Sequence, residues 1–141
     1  QTVLFDPQLD LAVLKVPGLT ADPLRFNTTL DQGDSAVILG FPENGPFQAG
    51  AARIRGRIIL RGPDIFGKGR VERDVYSLRG DVRPGNSGGP LISPRGEVAG
   101  VIFAASISDP DTGYAVTARE ALPVATAGSK ANDAVPTGTC A

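Results

Sequence analysis

The chain has 141 residues, 41% of them hydrophobic, enough to bury one sizeable core in a soluble globular unit. Its net charge of −1, with acids and bases interspersed, argues against a nucleic-acid or anionic-lipid surface. No apolar run reaches the roughly 18 residues that span a bilayer, and a chain with no histidine and one cysteine is not expected to build a zinc or iron–sulfur site by itself.

Eighteen glycines and twelve prolines, with no Met and no Trp, favour many short strands joined by tight turns. The opening residues, QTVLFDPQLD, carry no signal peptide and read as the interior of a longer polypeptide. After "VLF" and a "DP" turn, "LDLAVLKV" gives a compact apolar strand signal ending at Pro17-Gly18. "GDSAVILGFP" predicts a strand from Ser35 to about Gly40, and residues 43–50 read as a loop. In "ARIRGRIILR", Arg53, Arg55 and Arg57 recur at period two, predicting a half-exposed strand with a bulge at Gly56. Residues 62–69 form a second loop and residues 70–79 a further strand.

"PLISP", a turn at Arg95-Gly96 and "EVAGVIFAA" predict a hairpin; loop 106–113 then leads into the strand "YAVT". Thr117-Ala118-Arg119-Glu120 fits a capping box, which predicts a helix over residues 118–127. The remainder, 128–141, is small and polar and reads as a tail. Seven or so short strands with a turn signal every 8–12 residues indicate an all-β barrel or sandwich.

The loop before "PLI" carries the chemistry. In Gly85-Asn86-Ser87-Gly88-Gly89-Pro90, glycines let backbone amides converge beside a serine hydroxyl. Acyl transfer needs that pairing: Ser87 as nucleophile, and the amides of Gly85 and Ser87 as an oxyanion hole. Asn-Ser-Gly-Gly is also good turn chemistry, but the six-residue string in a β-rich chain is far more specific than a bare G-x-S-G.

"GNSGGPLISPRGEVAGVIFAA", "GYAVT" and the upstream "DLAVLKV" resemble the trypsin-like two-barrel serine proteases, and within them the HtrA-like bacterial branch. The similarity is nearest to actinobacterial, membrane-anchored periplasmic members linked to acid resistance, and it covers most of the chain from Asp6 to Ala121. It implies a double β-barrel with a C-terminal helix, endopeptidase activity on protein or peptide substrates, and no cofactor. Applied to this chain, residues 1–32 are the end of the first barrel and residues 33–117 the second.

The family's triad runs His, Asp, Ser. Its aspartate precedes a "DLAVLK"-type strand, which assigns Asp10 here; Asp6, ahead of Pro7, is better explained as a turn-former. A solvated loop carboxylate is the alternative reading of Asp10. By family position, Asp81 lies at the base of the specificity pocket. Phe103, Ala104 and Ala105 form one wall, and Gly113 with Tyr114 closes the far side. An aspartate at the base would select Arg or Lys. Alternatively, Asp81 pairs with Arg79 or Arg83 at the rim, and the HtrA-like branch mostly prefers apolar residues. Asn86, where digestive relatives carry Asp, cannot pair with a newly made N-terminus, so ordering of loops 43–50, 62–69 or 106–113 is the expected switch.

The departure is the histidine. The family places it upstream of the aspartate, and only nine residues precede Asp10. The chain is therefore expected to lack most of its N-terminal barrel, and the base to come from a segment outside it. A piece shortened by design and a relative that lost its base are the competing accounts; the retained serine, aspartate and glycines favour a piece of an active protease. Alone it should be nearly inert, with about 10³–10⁴-fold residual catalysis over water. It should also expose apolar edges near residues 11–16. Cys140 is then expected to pair with a cysteine outside the chain.

Overall fold

The computed structural model describes residues 1–138, so Cys140 lies outside the described residues. Strands β1 (Thr2–Asp6) and β2 (Leu11–Leu14) pair antiparallel as a two-stranded sheet of their own. Six strands follow: β3 (Ser35–Gly40), β4 (Gln48–Gly62), β5 (Val71–Arg79), β6 (Pro90–Ile92), β7 (Val98–Ala105) and β8 (Thr112–Thr117). They close into one antiparallel barrel in the order β3-β4-β5-β8-β7-β6, with β7 running on past its pairing with β6 at Val101. A single helix, α1 (Ala118–Lys130), completes the chain.

Alternation builds the barrel interior. Ile38, Ile54, Tyr76, Leu78, Leu91 and Ile102 come from five strands and are almost wholly enclosed. Tyr76 is the largest of them, and burial pushes its phenol pKa up. Its hydroxyl donates to the Leu30 carbonyl at 2.8 Å, tying the 15–34 connection to the core. Tyr76→Phe keeps the packing and orphans that carbonyl, so it should lower unfolding free energy by about 1–2 kcal/mol in urea titration.

Several elements depart from the sequence expectation. β4 begins at Gln48, not beyond residue 50, because β3 pairs with it continuously from Ser35↔Arg53 to Gly40↔Gln48. A waiting partner strand overrides the low β-propensity of Ala49, Gly50 and Ala51. Likewise Thr112 and Gly113 belong to β8 and not to the preceding loop. The bulge in β4 falls one residue before the expected Gly56: the β5 register slips between Ile54 and Gly56, leaving Arg55 as the extra residue while Gly56 pairs with Ser77.

The helix runs three residues past 127 and continues through Pro123. The predicted capping box does not form. Thr117 is the N-cap residue, but it is fully buried with its hydroxyl unpartnered, while Glu120 accepts from the Asp74 amide at 3.4 Å. Gly128 sets the helix against β2: a Cβ there would come within 2.6 Å of Val13, so only glycine allows this approach. Beyond the helix the chain folds back over the hairpin. Val135 donates to Thr2 at 2.9 Å, and the Gln1 and Lys15 side chains bond Asn132 at 2.7 Å.

The hairpin and the segment after it leave large apolar side chains in solvent, Leu14 at 63% and Leu19 at 70% exposure among them.

Candidate active site

The serine loop connects β5 to β6 and is fixed from three directions. Ile102 on β7 accepts from the Gly88 amide at 2.7 Å and donates to the Gly89 carbonyl at 2.9 Å. Within the loop, Asn86 donates to Arg83 at 3.0 Å and Gly89 to Asn86 at 2.9 Å. From outside, the Glu43 amide donates to the Pro84 carbonyl at 2.6 Å. The turn that supplies this last bond has both Glu43 and Asn44 in the left-handed region, at φ 56° and 57°.

These contacts use the amides of Asn86, Gly88 and Gly89. The amides of Gly85 and Ser87 have no hydrogen-bond partner among the described residues, and the Ser87 hydroxyl is exposed and equally unpartnered. Gly85 has φ +97°, and a Cβ on it would collide with the Phe41 carbonyl oxygen. The position demands glycine twice over, by conformation and by space.

Asp10 sits at the other side of the same opening. It ends the four-residue connection between β1 and β2 with φ 60°, a conformation aspartate tolerates better than most residues. Asp10, Leu11, Ala12 and Leu14 from the hairpin, Ser87 and Gly88 from the loop, and residues 101–103 of β7 line a cleft of 540 Å³. At about 30 Å³ per water, a cleft of that volume is larger than a five-membered ring requires. Asp6 is engaged differently: its Oδ1 accepts from the amides of Gln8 and Leu9, both at 3.0 Å, which makes it the residue that folds the turn.

Phe103 belongs to the cleft as well. The β7–β8 register slips between Ile102 and Ala104, so Phe103 is released from the ladder on that side. Ala104 pairs with Tyr114 and Ala105 with Gly113, and Val82 packs directly onto Gly113. Asp81 is not part of this group. Its carboxylate accepts from Arg83 Nε at 2.7 Å, and it lines a separate small cavity with Gln48, Gly50 and Asn86. Arg83 also faces Glu43 at 3.7 Å, so Asp81, Arg83 and Glu43 form an exposed charge chain bracing the loop from outside.

Two of the three loops considered as switches are stitched internally. In loop 106–111, Asp109 accepts from the Thr112 hydroxyl at 2.7 Å and the Asp111 amide at 3.0 Å, and Arg55 approaches at 3.3 Å. Those bonds, the Thr112 one foremost, hold its carboxyl below the usual carboxylate range. In loop 63–70, Asp64 accepts from the amides of Phe66 and Lys68, and Phe66 packs edge-on to Phe5 of β1 at 6.4 Å.

Arg73 escaped sequence reasoning. It shares a face of β5 with Val71 and Val75, and that apolar company was the available sign that hairpin and helix cover the outer barrel wall.

Comparison with known proteins agrees with this arrangement. Residues 1–101 match the family model of the trypsin-like peptidase domain. The chain is 49% identical over 120 residues to serine protease Rv3671c of Mycobacterium tuberculosis, covering 84% of this chain and 30% of that relative. A DegP-like protein of Chlamydia pneumoniae, described as a probable periplasmic serine endoprotease, is 35% identical over 99 residues, 69% of this chain and 19% of its own length. The chain thus spans less than a third of the curated relatives it matches.

Among solved structures, the active form of the Rv3671c protease superposes with a TM-score of 0.94 at 46% identity, covering 99% of this chain and 62% of that one. The inactive form of the same protease superposes at 0.80, covering 90% of this chain and 65% of that one. The HtrA-type protease AlgW follows at 0.77 with 26% identity, covering 92% of this chain and 40% of its own. Barrel order, serine loop and sequence all lead to one assignment: this chain belongs to the trypsin-like peptidase domain family, close to the Rv3671c serine protease and the HtrA-type proteases.

Proposed function

We propose that this chain carries the serine side of a serine endopeptidase. Ser87 Oγ attacks the scissile carbonyl while a histidine on polypeptide outside this chain takes its proton. The same histidine returns that proton to the leaving amine, and water then hydrolyses the acyl-enzyme by the reverse sequence. Asp10 accepts the imidazole Nδ1–H bond and stabilises the imidazolium. The amides of Gly85 and Ser87 hold the oxyanion. The observation that carries this reading is the cleft lined jointly by Asp10 and Ser87; the unpartnered amides of Gly85 and Ser87 in the serine loop support it. The exposed Leu14 and Leu19 support a further piece of polypeptide seated on the hairpin and bringing the base.

A fluorophosphonate probe tests the assignment. It should label Ser87 in the full-length protein, located by peptide mass analysis, and react at least about 10³-fold more slowly with this chain alone. A full-length protein that resists the probe would favour the second reading, a catalytically silent trypsin-like fold that binds peptides, for which the lack of histidine in this chain speaks. Gly85→Ala forces the loop off the Phe41 carbonyl and should lower kcat by about 10²–10³-fold, measured as peptide turnover.

Substrate would add as an antiparallel strand along residues 103–105, on the side of β7 that runs past its pairing with β6 at Val101. Because Arg83 occupies the Asp81 carboxylate, the residue before the scissile bond is apolar in this reading and not basic. Asp81→Ala should then leave the ranking of a peptide panel varied at that residue unchanged; a selective loss on Arg and Lys peptides would restore Asp81 as selector. By similarity to the periplasmic relatives the protein acts outside the cytoplasm, and any membrane anchor and any part in acid resistance would depend on polypeptide beyond this chain. Cys140 would pair with a cysteine there, a bond that non-reducing mass analysis of the full-length protein detects.

A further inference from the structure

Arg73 is 7% exposed, yet no carboxylate lies within ion-pair distance of it among the described residues. A buried cation without a counter-ion is costly, and natural folds keep one only where its donors are well used. Here they go to main-chain carbonyls of two separate segments: Nε to Gln8 at 2.6 Å and Nη2 to Pro63 at 3.4 Å. Gln8 is in the β1–β2 connection, two residues before Asp10. The same connection is gripped a second time, where Ile65 donates to the Pro7 carbonyl at 3.2 Å. A two-stranded hairpin is marginal on its own, so its seat on the barrel must be fixed by such contacts.

We propose that Arg73 is a positioning residue: its buried guanidinium fastens the 7–10 turn to β5 and thereby aims Asp10 into the cleft it shares with Ser87. The inference rests on the reading in which Asp10 orients the catalytic base. Arginine suits the task because one planar fork reaches two carbonyls on different segments, whereas a lysine ammonium would serve one of them. Misaiming a catalytic group by about 1 Å can lower turnover by about 10²-fold with little change in substrate binding.

The test is a double-mutant cycle in the full-length protein, with rates normalised to folded protein by circular dichroism. Arg73→Met should lower kcat by about 10–10²-fold and leave KM within about 3-fold, and Arg73→Lys should recover part of the loss. In an Asp10→Asn background, neither change should lower kcat further. If Arg73→Met fails to fold, the same cycle run with Arg73→Lys decides the matter, since a several-fold loss is expected beside Asp10 and none beside asparagine. Equal losses in both backgrounds would mean a purely structural role and overturn the proposal, as would wild-type kcat in the Arg73 variants while Asp10→Asn is crippled. Wild-type kcat in Asp10→Asn itself would instead remove the assignment of Asp10, and this proposal with it.

Discussion

Ser87→Ala in the full-length protein is expected to lower kcat by about 10⁶-fold while the melting temperature stays where it was. The change deletes one atom, the Oγ, from an exposed residue. That atom has no hydrogen-bond partner among the described residues, so the fold loses nothing it relies on. The bonds that hold the loop, Gly88 to Ile102 and Gly89 to Asn86, are made by neighbouring main chain and survive. Stability should therefore shift by no more than about 0.5 kcal/mol, the usual range for surface substitutions. Peptide turnover and a thermal melt on the same sample check both halves. A loss under tenfold would show that another group attacks; a large fall in melting temperature would show that the serine is structural.

Asp10→Asn carries the second largest expected loss, about 10⁴-fold in kcat with KM nearly constant. Asparagine has the same shape and is one of the few residues at ease at φ 60°, so the turn keeps its conformation. What disappears is the negative charge that, in the proposed mechanism, would stabilise the imidazolium and select its tautomer. Asp6→Asn is the matched control. Its side-chain oxygen can still accept from the Gln8 and Leu9 amides at 3.0 Å, so turnover should stay within a few-fold of wild type. If both variants lose activity equally, the effect lies in the turn and not in the carboxylate at position 10.

The barrel was legible because its strands advertise themselves. "SAVILG" and "EVAGVIFAA" alternate between obvious turn residues, and the serine loop is marked by a dense glycine string that few other contexts require. Gly56, a glycine interrupting a period-two run, marked the bulge to within one residue, since Arg55 is the residue left out of the register. Long-range contacts left fainter marks or none. The start of β4 is strand only because β3 lies beside it. Thr117 carries a capping signature, yet the helix packs so tightly that the hydroxyl is enclosed instead of turned to the backbone.

Asp81 had two readings in the sequence, pocket base or rim ion pair, and its carboxylate accepts from Arg83 Nε, the pairing the second reading expected. Asp10 depended on resemblance, since a lone carboxylate before a strand has no signature of its own. Arg73 needed the third dimension: its partners, Gln8 and Pro63, are 65 and 10 residues away in the chain.

The separateness of the β1–β2 sheet bears on how the protein tolerates heat. The barrel is closed by its own ladders, whereas the hairpin shares none with it and rests on helix α1, the returning tail and the Arg73 clasp. Main-chain protons of residues 2–14 should therefore trade with deuterium well before those of the barrel. On gentle warming the hairpin would lift away first, parting the carboxylate from the serine while the larger body stays intact. In this chain alone, that parting should show as a small thermal pretransition below the main melt, reversible on cooling.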